Sequence, residues 1–488
     1  MKTPVFLLGS LTKKNISVFL FLFLACLAAP FALAQTTYYW DTNDATTGFG
    51  TAGGTWAAPT TNNSTQGWST SLTGTTALSG TTNTTTSDAL NFGTGTATYG
   101  LGAGTITVSG SVSANSLTFG SQSGAIVLSG GTISLGGTTP TITVNNAADT
   151  ISSAITGSAG LTKNGTGILT LSGNSTYSGN TTINAGTLKA GSTTGLSSSS
   201  AFTVGSGAVL DLVGFNNTIS NLSTASAGTI TDSSAAGSGG TLKVSTALSG
   251  TLTNLFTGSL GLNFVGNSIL GNANNTYSGG TIYGASATAS RWIGSGTIGT
   301  MTAGNVTRGI LGTGAITFGL AATDKAQFYT GGATTINNAI VVNTAAGDGT
   351  LGTFRVESWA TLTLNGAVNA NLADLMINVA NNNTGIALLN GAISGNSGLV
   401  VLTQGSGRLN LTLNSTASAN TYAGNTTITG TNSTLTLGKS DQIRAVAKHR
   451  LQSKIEPLSI KDLGAITRGS SLPNLNNPQN TTLLPLTL

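Results

Sequence analysis

Ala125-Ile-Val-Leu-Ser-Gly-Gly-Thr-Ile-Ser-Leu-Gly136 decides the fold class of this chain. Apolar residues alternate with Thr and Ser at a period of two on either side of a Gly-Gly break, which is the pattern of two short, half-buried β-strands. The same pattern recurs in Gly104-Thr-Ile-Thr-Val-Ser-Gly110 and, just after Pro140, in Thr141-Ile-Thr-Val144. Turn residues return about every 8–12 positions, a spacing that suits a sandwich, a barrel or a solenoid. Two arguments select the solenoid. Strands this short bury too little surface alone and must stack. In a parallel stack each residue lies over its own kind, so Thr and Asn ladders gain hydrogen bonds while stacked like charges repel. The expectation is therefore an all-β, right-handed parallel β-helix (β-solenoid) over residues 93–438, with tandem antiparallel sandwiches of about 100 residues as the competing fold.

Composition agrees with that choice. The 488 residues include 69 Gly, 39% hydrophobic and only 6% charged residues, against about 25% charged and about 7% Gly in an ordinary globular domain. Disorder needs few apolar residues and a high net charge, and this chain has the opposite balance. The formal charge of +5 belongs to the ends: residues 35–438 carry 8 basic and 10 acidic residues, a net of 8 − 10 = −2. Nucleic-acid binding calls for a clustered basic face, which this body lacks.

Residues 1–34 read as a Sec-type signal peptide: Lys13 and Lys14 precede an apolar core from Ile16 to Leu27, and Ala32-Leu33-Ala34 is the cleavage site. The core is too short to span a bilayer, and no second run of spanning length follows, so the mature chain is expected to have no transmembrane segment. Cys26 lies within the signal, and His449 is the one histidine. The mature chain then has no thiol, and no His-based metal cluster or Cys/His nucleophile pair is expected.

Both ends differ from the middle, as the terminal turns of a solenoid must. Residues 35–92 are expected to form an N-terminal cap around Trp40, Trp56 and Trp68, with Tyr38 and Tyr39 beside them. The sharper alternative is an aromatic platform for stacking carbohydrate. Residues 439–488, with four of the eight prolines, are expected to be an irregular, flexible or non-native basic tail.

One segment is more specific than composition. Gly160-Leu161-Thr162-Lys163-Asn164-Gly165-Thr166-Gly167 leads into Leu169-Thr170-Leu171, Tyr177-Ser178-Gly179-Asn180-Thr181 and Gly186-Thr187-Leu188. This segment, 160–188, resembles the autotransporter-associated β-strand repeat (passenger-associated transport repeat), whose pattern is Leu-x-Lys-x-Gly-x-Gly, Leu-x-Leu, Tyr-x-Gly, Thr and Gly-Thr-Leu. A fuller second copy spans 399–437, with Gln404 standing where the motif prefers Lys, and a weaker one spans 271–282 around Tyr277. The resemblance implies a β-helical stalk in a large surface protein, associated with passenger transport across the outer membrane; it names no ligand. It also implies a β-barrel of at least eight strands of ~10 residues. Residues 439–488 cannot supply that, so either another protein exports this chain or it is a fragment.

The search for chemistry centres on Asp324, Lys325, Asp348, Arg355, Glu357 and Asp374, the densest charge in the body. Paired carboxylates in a β-helix groove could cleave polysaccharide, but in Phe354-Arg355-Val356-Glu357-Ser358 the charges alternate with apolar residues, as on a solvated strand face. Tyr177, Tyr277 and Tyr422 share one motif position and read as packing or turn residues. Gly165-Thr166-Gly167 has no following helix and is no phosphate cradle; calcium-binding Gly-Gly-x-Gly-x-Asp repeats are absent. Sequons such as Asn63-Ser64-Thr65 follow from composition. The expectation is an exported surface or secreted adhesin-like passenger that is not an enzyme. Catalytic, cofactor and metal residues are expected to be none, and the partners to be surface or glycan ligands and the outer-membrane export machinery. The alternative is a polysaccharide-binding or polysaccharide-cleaving β-helix.

Overall fold

Most of the short strands find their hydrogen-bond partner not in their sequence neighbour but about one coil further along the chain. In the computed structural model, the described residues are 35–437 apart from 59–60, 62, 77, 95–98, 267, 285–289, 299, 303–304, 322–323, 325, 345–352, 357–359, 380–383, 404–406, 415–419 and 430–433. The expected signal at 1–34 and the expected tail at 439–488 lie outside them.

On the first face, Leu117, Ile142, Lys163 and Ile183 stand one above another, at steps of 25, 21 and 20 residues. On the second, Ile126, Asp149, Leu169, Leu188, Leu210, Ile230 and Phe256 form a matching column. A third face begins with Ser111–Ala114, Thr132–Leu135 and Ala154–Thr156. It resumes from Asn217–Ile219 and runs to Ile393–Ser394. Among the described strands, pairing is parallel except where Thr37–Trp40 meets Trp68–Ser69 and Thr300–Thr302 meets Asn305–Arg308. Tandem sandwiches would need antiparallel ladders throughout, so the fold is an all-β parallel solenoid. No helix long and apolar enough to cross a membrane occurs among the described residues.

The inward residues of the faces form one continuous apolar cluster from Trp40 to Tyr422, burying ~25 cal/mol for each Å² of apolar surface removed from water. The outward residues form the expected ladders. Asn365 Nδ2 donates to Asn337 Oδ1 at 2.7 Å and Asn390 Nδ2 to Asn365 Oδ1 at 2.8 Å. Asn184 bonds Asn164, Thr257 bonds Thr231 and Ser172 bonds Ser152, each at 2.9 Å. Glycine marks the tight corners: Gly165 has φ 75°, and a Cβ there would meet the Val144 carbonyl oxygen at 2.2 Å.

Candidate functional site

The repeat motif is built around a buried hydroxyl pair. In the copy at 160–188, the Tyr177 and Thr181 hydroxyls are hydrogen-bonded at 2.8 Å, and Thr181 in turn meets the Ser200 hydroxyl at 2.8 Å. Tyr277 and Thr281 repeat the contact at 2.5 Å, as do Tyr422 and Thr426. Each threonine starts a strand and sits on a leucine of the preceding coil: Thr181 on Leu161, Thr281 on Leu262 and Thr426 on Leu399. The four-residue Tyr-to-Thr loop is therefore pinned to the same rung three times. Burial pushes the Tyr177 phenol up to about 12 and raises Tyr277 and Tyr422 as well. None of the three can exchange a proton near neutrality, and all three pack as the sequence indicated.

The Lys of the motif occupies an inward position. Lys163 stands in the column between Ile142 and Ile183 and is fully buried. Its Nζ donates to the carbonyls of Asn164 at 2.9 Å, Gly165 at 2.8 Å and Ala185 at 3.2 Å. The turn through Gly165 contributes the Asn164 and Gly165 carbonyls and the next coil, before Gly186, contributes that of Ala185; an unmet acceptor inside the coil is costly. One ammonium with three donors satisfies them across two coils.

Asp149, also inward, lies in the second-face column beside it. Its Oδ1 accepts from the Ile126 amide at 2.8 Å and from Asn146 Nδ2 at 3.0 Å, while Oδ2 has no partner. Burial raises Asp149 to about 6 against the lowering effect of these bonds and of Lys163, and burial lowers Lys163 to about 8 against the pull of Asp149. In both, desolvation outweighs the attraction between the charges. Sequence reading missed this pair. The usable signal was Asp149 standing at the apolar phase of Ala148-Asp149-Thr150-Ile151. Its 14-residue separation from Lys163 hides that the two belong to adjacent strand columns.

The coil register corrects the assignment of Gln404. Leu399 pairs with the latch residue Thr426 as Leu161 pairs with Thr181, so Val401, not Gln404, stands where Lys163 stands. Matching Gly405-Ser406-Gly407 to Gly165-Thr166-Gly167 by sequence overlooks a longer interval between the two columns: Leu161 to Leu169 spans 8 residues, and Leu399 to the corresponding Leu411 spans 12. Gln404 itself lies outside the described residues.

The aromatic-platform alternative is overturned. Trp40, Trp56 and Trp68 are buried, and Trp68 packs edge-on against Trp40 at 4.8 Å and Trp56 at 5.6 Å. Trp40 Nε1 donates to Gly53 O at 3.0 Å and Trp56 Nε1 to the Thr84 hydroxyl at 3.1 Å. Tyr38 and Tyr39 pack on the cluster from its rim. No indole face is left for a sugar.

Of the charged candidates, Asp324 and Asp374 each bond to backbone amides and not to one another. Asp324 accepts from the Leu320 and Ala321 amides at 2.5 and 3.0 Å, and Asp374 from the Gly398 amide at 2.5 Å. Arg355 lies in the strand Phe354–Val356. Lys325, Asp348 and Glu357 lie outside the described residues. Among the described residues, no group of three or more His, Cys, Asp or Glu is arranged to hold a metal ion.

One hollow opens on the first face. It measures about 290 Å³ and is lined by Asn180, Thr203, Asn221, Ser223, Thr224 and Ser249 over buried Phe202 and Leu222. Nothing local in the sequence marked it, because its residues are of the types that fill the whole body and are spread over seventy positions.

Comparison with known proteins is consistent with this geometry. The passenger-associated-transport-repeat family matches residues 161–190 and 403–430, which hold two of the three Tyr–Thr pairs described above. Over 163 residues the chain is 33% identical to the BmaC adhesin autotransporter of Brucella suis biovar 1 (strain 1330). That match covers 33% of this chain and 4% of the relative, so the chain spans a small fraction of that protein's length. No solved structure matches the chain.

Proposed function

We propose that this chain, which carries passenger-associated-transport repeats, is part of a displayed, adhesin-like passenger: a non-catalytic stalk that presents polar ladders to surfaces and glycans. The observation that carries this reading is the recurrence of one motif on equivalent rungs of a parallel coil, with the same buried Tyr–Thr contact each time. A motif that fixes the backbone rather than exposing reactive groups is suited to building length. Length with repeated Thr and Asn faces multiplies weak contacts into useful avidity.

In this reading residues 1–34 direct export, and the chain reaches the cell surface or medium through outer-membrane export machinery. Residues 35–92 close the first coil: the antiparallel strand Trp68–Ser69 lies on the outer edge of Thr37–Trp40, where a parallel sheet would otherwise end open.

The test is made on intact cells that produce the protein. The expected result is cleavage by protease added outside the cells, with attachment to abiotic and glycan-coated surfaces falling when the protein is removed. Protection until the outer membrane is permeabilised would overturn the reading. So would new reducing or unsaturated ends released from polysaccharides by the purified chain and lost in Glu357→Gln.

A further inference from the structure

The ladders on the first face end abruptly. Ser116, Thr141, Thr162, Thr182 and Thr203 form one outward column, each paired with the next. The sheet that carries them stops at Asn221–Leu222, a strand of two residues, while the third-face sheet resumes at Asn217–Ile219. The 290 Å³ hollow lies at this fault, where Ser223 follows Thr203 with its amide bonded to Phe202 O at 2.8 Å.

We propose that this hollow is a binding site for a neutral saccharide unit. The Asn180 and Asn221 carboxamides and the Thr203, Thr224 and Ser249 hydroxyls line it. These side chains make no hydrogen bond to another described residue, in contrast to the paired Asn and Thr groups of the ladders. Convergent amides and hydroxyls left uncommitted in a concave site demand a ligand equally dense in donors and acceptors. No charged side chain lines the hollow, so nothing there offsets the desolvation of a uronate or sulfate. No aromatic side chain faces it either, since Phe202 is buried beneath, so the ring is held by hydrogen bonds rather than stacking.

A site of this kind binds weakly, with a dissociation constant of about a millimolar, and gains strength from many copies of the protein on one cell. The inference rests on the adhesin-like reading and names its ligand class.

The experiment titrates the purified mature chain with cellotetraose and chitotetraose, and with tetragalacturonate as the anionic control, by ligand-observed NMR. The expected result is binding of one or both neutral oligosaccharides, none of tetragalacturonate, and at least a tenfold loss in Asn180→Ala/Asn221→Ala. Thr150→Ala/Thr170→Ala, on the second face, is expected to bind as the parent does, and both variants to melt as the parent does. Three outcomes overturn the inference: no neutral saccharide bound, tetragalacturonate bound as well, or binding unchanged in Asn180→Ala/Asn221→Ala. The two readings fail separately. Cells that attach normally with a chain that binds no saccharide refute the hollow alone. A chain that binds saccharide in the hollow yet is never exposed on the cell refutes the adhesin-like reading alone.

Discussion

The coils that start at Leu161 and at Leu399 are copies of one motif, and they reach their second column differently. Both pin a Tyr–Thr loop on the leucine that opens the strand. The earlier copy then turns within a few residues through Gly165, and Lys163 answers the two carbonyls of that turn together with the Ala185 carbonyl of the next coil. The later copy takes four more residues to reach its next column and places Val401 at the same rung. The hydroxyl pair thus belongs to the coil itself, whereas the lysine belongs to a tight corner. A charged side chain persists in this core because the backbone geometry needs a donor there.

The sharpest way to break this comparison is Lys163→Met beside Val401→Met. Removing the ammonium strands three carbonyls and leaves Asp149 without its counter-charge, so a loss of about 3–5 kcal/mol is expected. The Val401 change only overfills the packing and should cost less, about 1–3 kcal/mol. Equilibrium denaturation that finds the two equal would remove the corner explanation.

The hydroxyl pair gives the next largest effect. Tyr277→Phe leaves the buried Thr281 hydroxyl without its bond and should cost about 1–3 kcal/mol. Tyr177→Phe should cost less, because Thr181 retains Ser200. The reverse order would show that ring packing, not the hydroxyl bond, carries the repeat.

Titration separates the two coils further. Between pH 3.8 and about 6 the folded chain keeps a proton on Asp149 that the unfolded chain has released, so stability falls as pH rises. Between about 8 and 10.5 the unfolded chain keeps a proton on Lys163 that the folded chain has released, so stability rises with pH. The coils around Lys163 should therefore be weakest between about pH 6 and 8, by on the order of 3 kcal/mol. Hydrogen exchange of the Ile126 amide, measured across that range after correction for intrinsic rates, reads it out. Asp149→Asn should flatten the acidic limb, and a profile unchanged in that variant would assign the effect elsewhere.

The smallest effect lies outside the core. Asn390→Ala removes one exposed rung of the Asn337–Asn365–Asn390 ladder and should cost about 0.5 kcal/mol or less in thermal unfolding. A loss above about 1.5 kcal/mol would mean that the ladders hold the solenoid together more than its apolar columns do.

The strands themselves were legible. Ala125 to Gly136 contains two of them, Ile126–Ser129 and Thr132–Leu135, with the inward phase on Ile126, Leu128, Ile133 and Leu135 as the alternation indicates. Ladder-forming Thr and Asn were legible for the same reason, since period two fixes which side faces out. The corners were not. Whether a turn points its carbonyls inward depends on residues one coil away, so neither the task of Lys163 nor its neighbour Asp149 follows from local spacing. A gap of four residues likewise shifted Gln404 onto a position that the ladder gives to Val401. Trp40, Trp56 and Trp68 showed their clustering but not their direction, because an aromatic group can cover an end or face a ligand with the same sequence. The hollow was the least visible, since it exists only where one sheet stops.

The unequal spacing between columns also makes this fold a natural place to insert foreign sequence. Between Leu399 and Leu411 the chain carries four more residues than between Leu161 and Leu169, while the rungs on either side keep their partners. The interval between columns varies where the register within each column is fixed. A peptide grafted into a corner would project sideways from the coil at a height set by the strand spacing, about 4.8 Å per turn. Grafts in successive corners would form an evenly graduated array of epitopes.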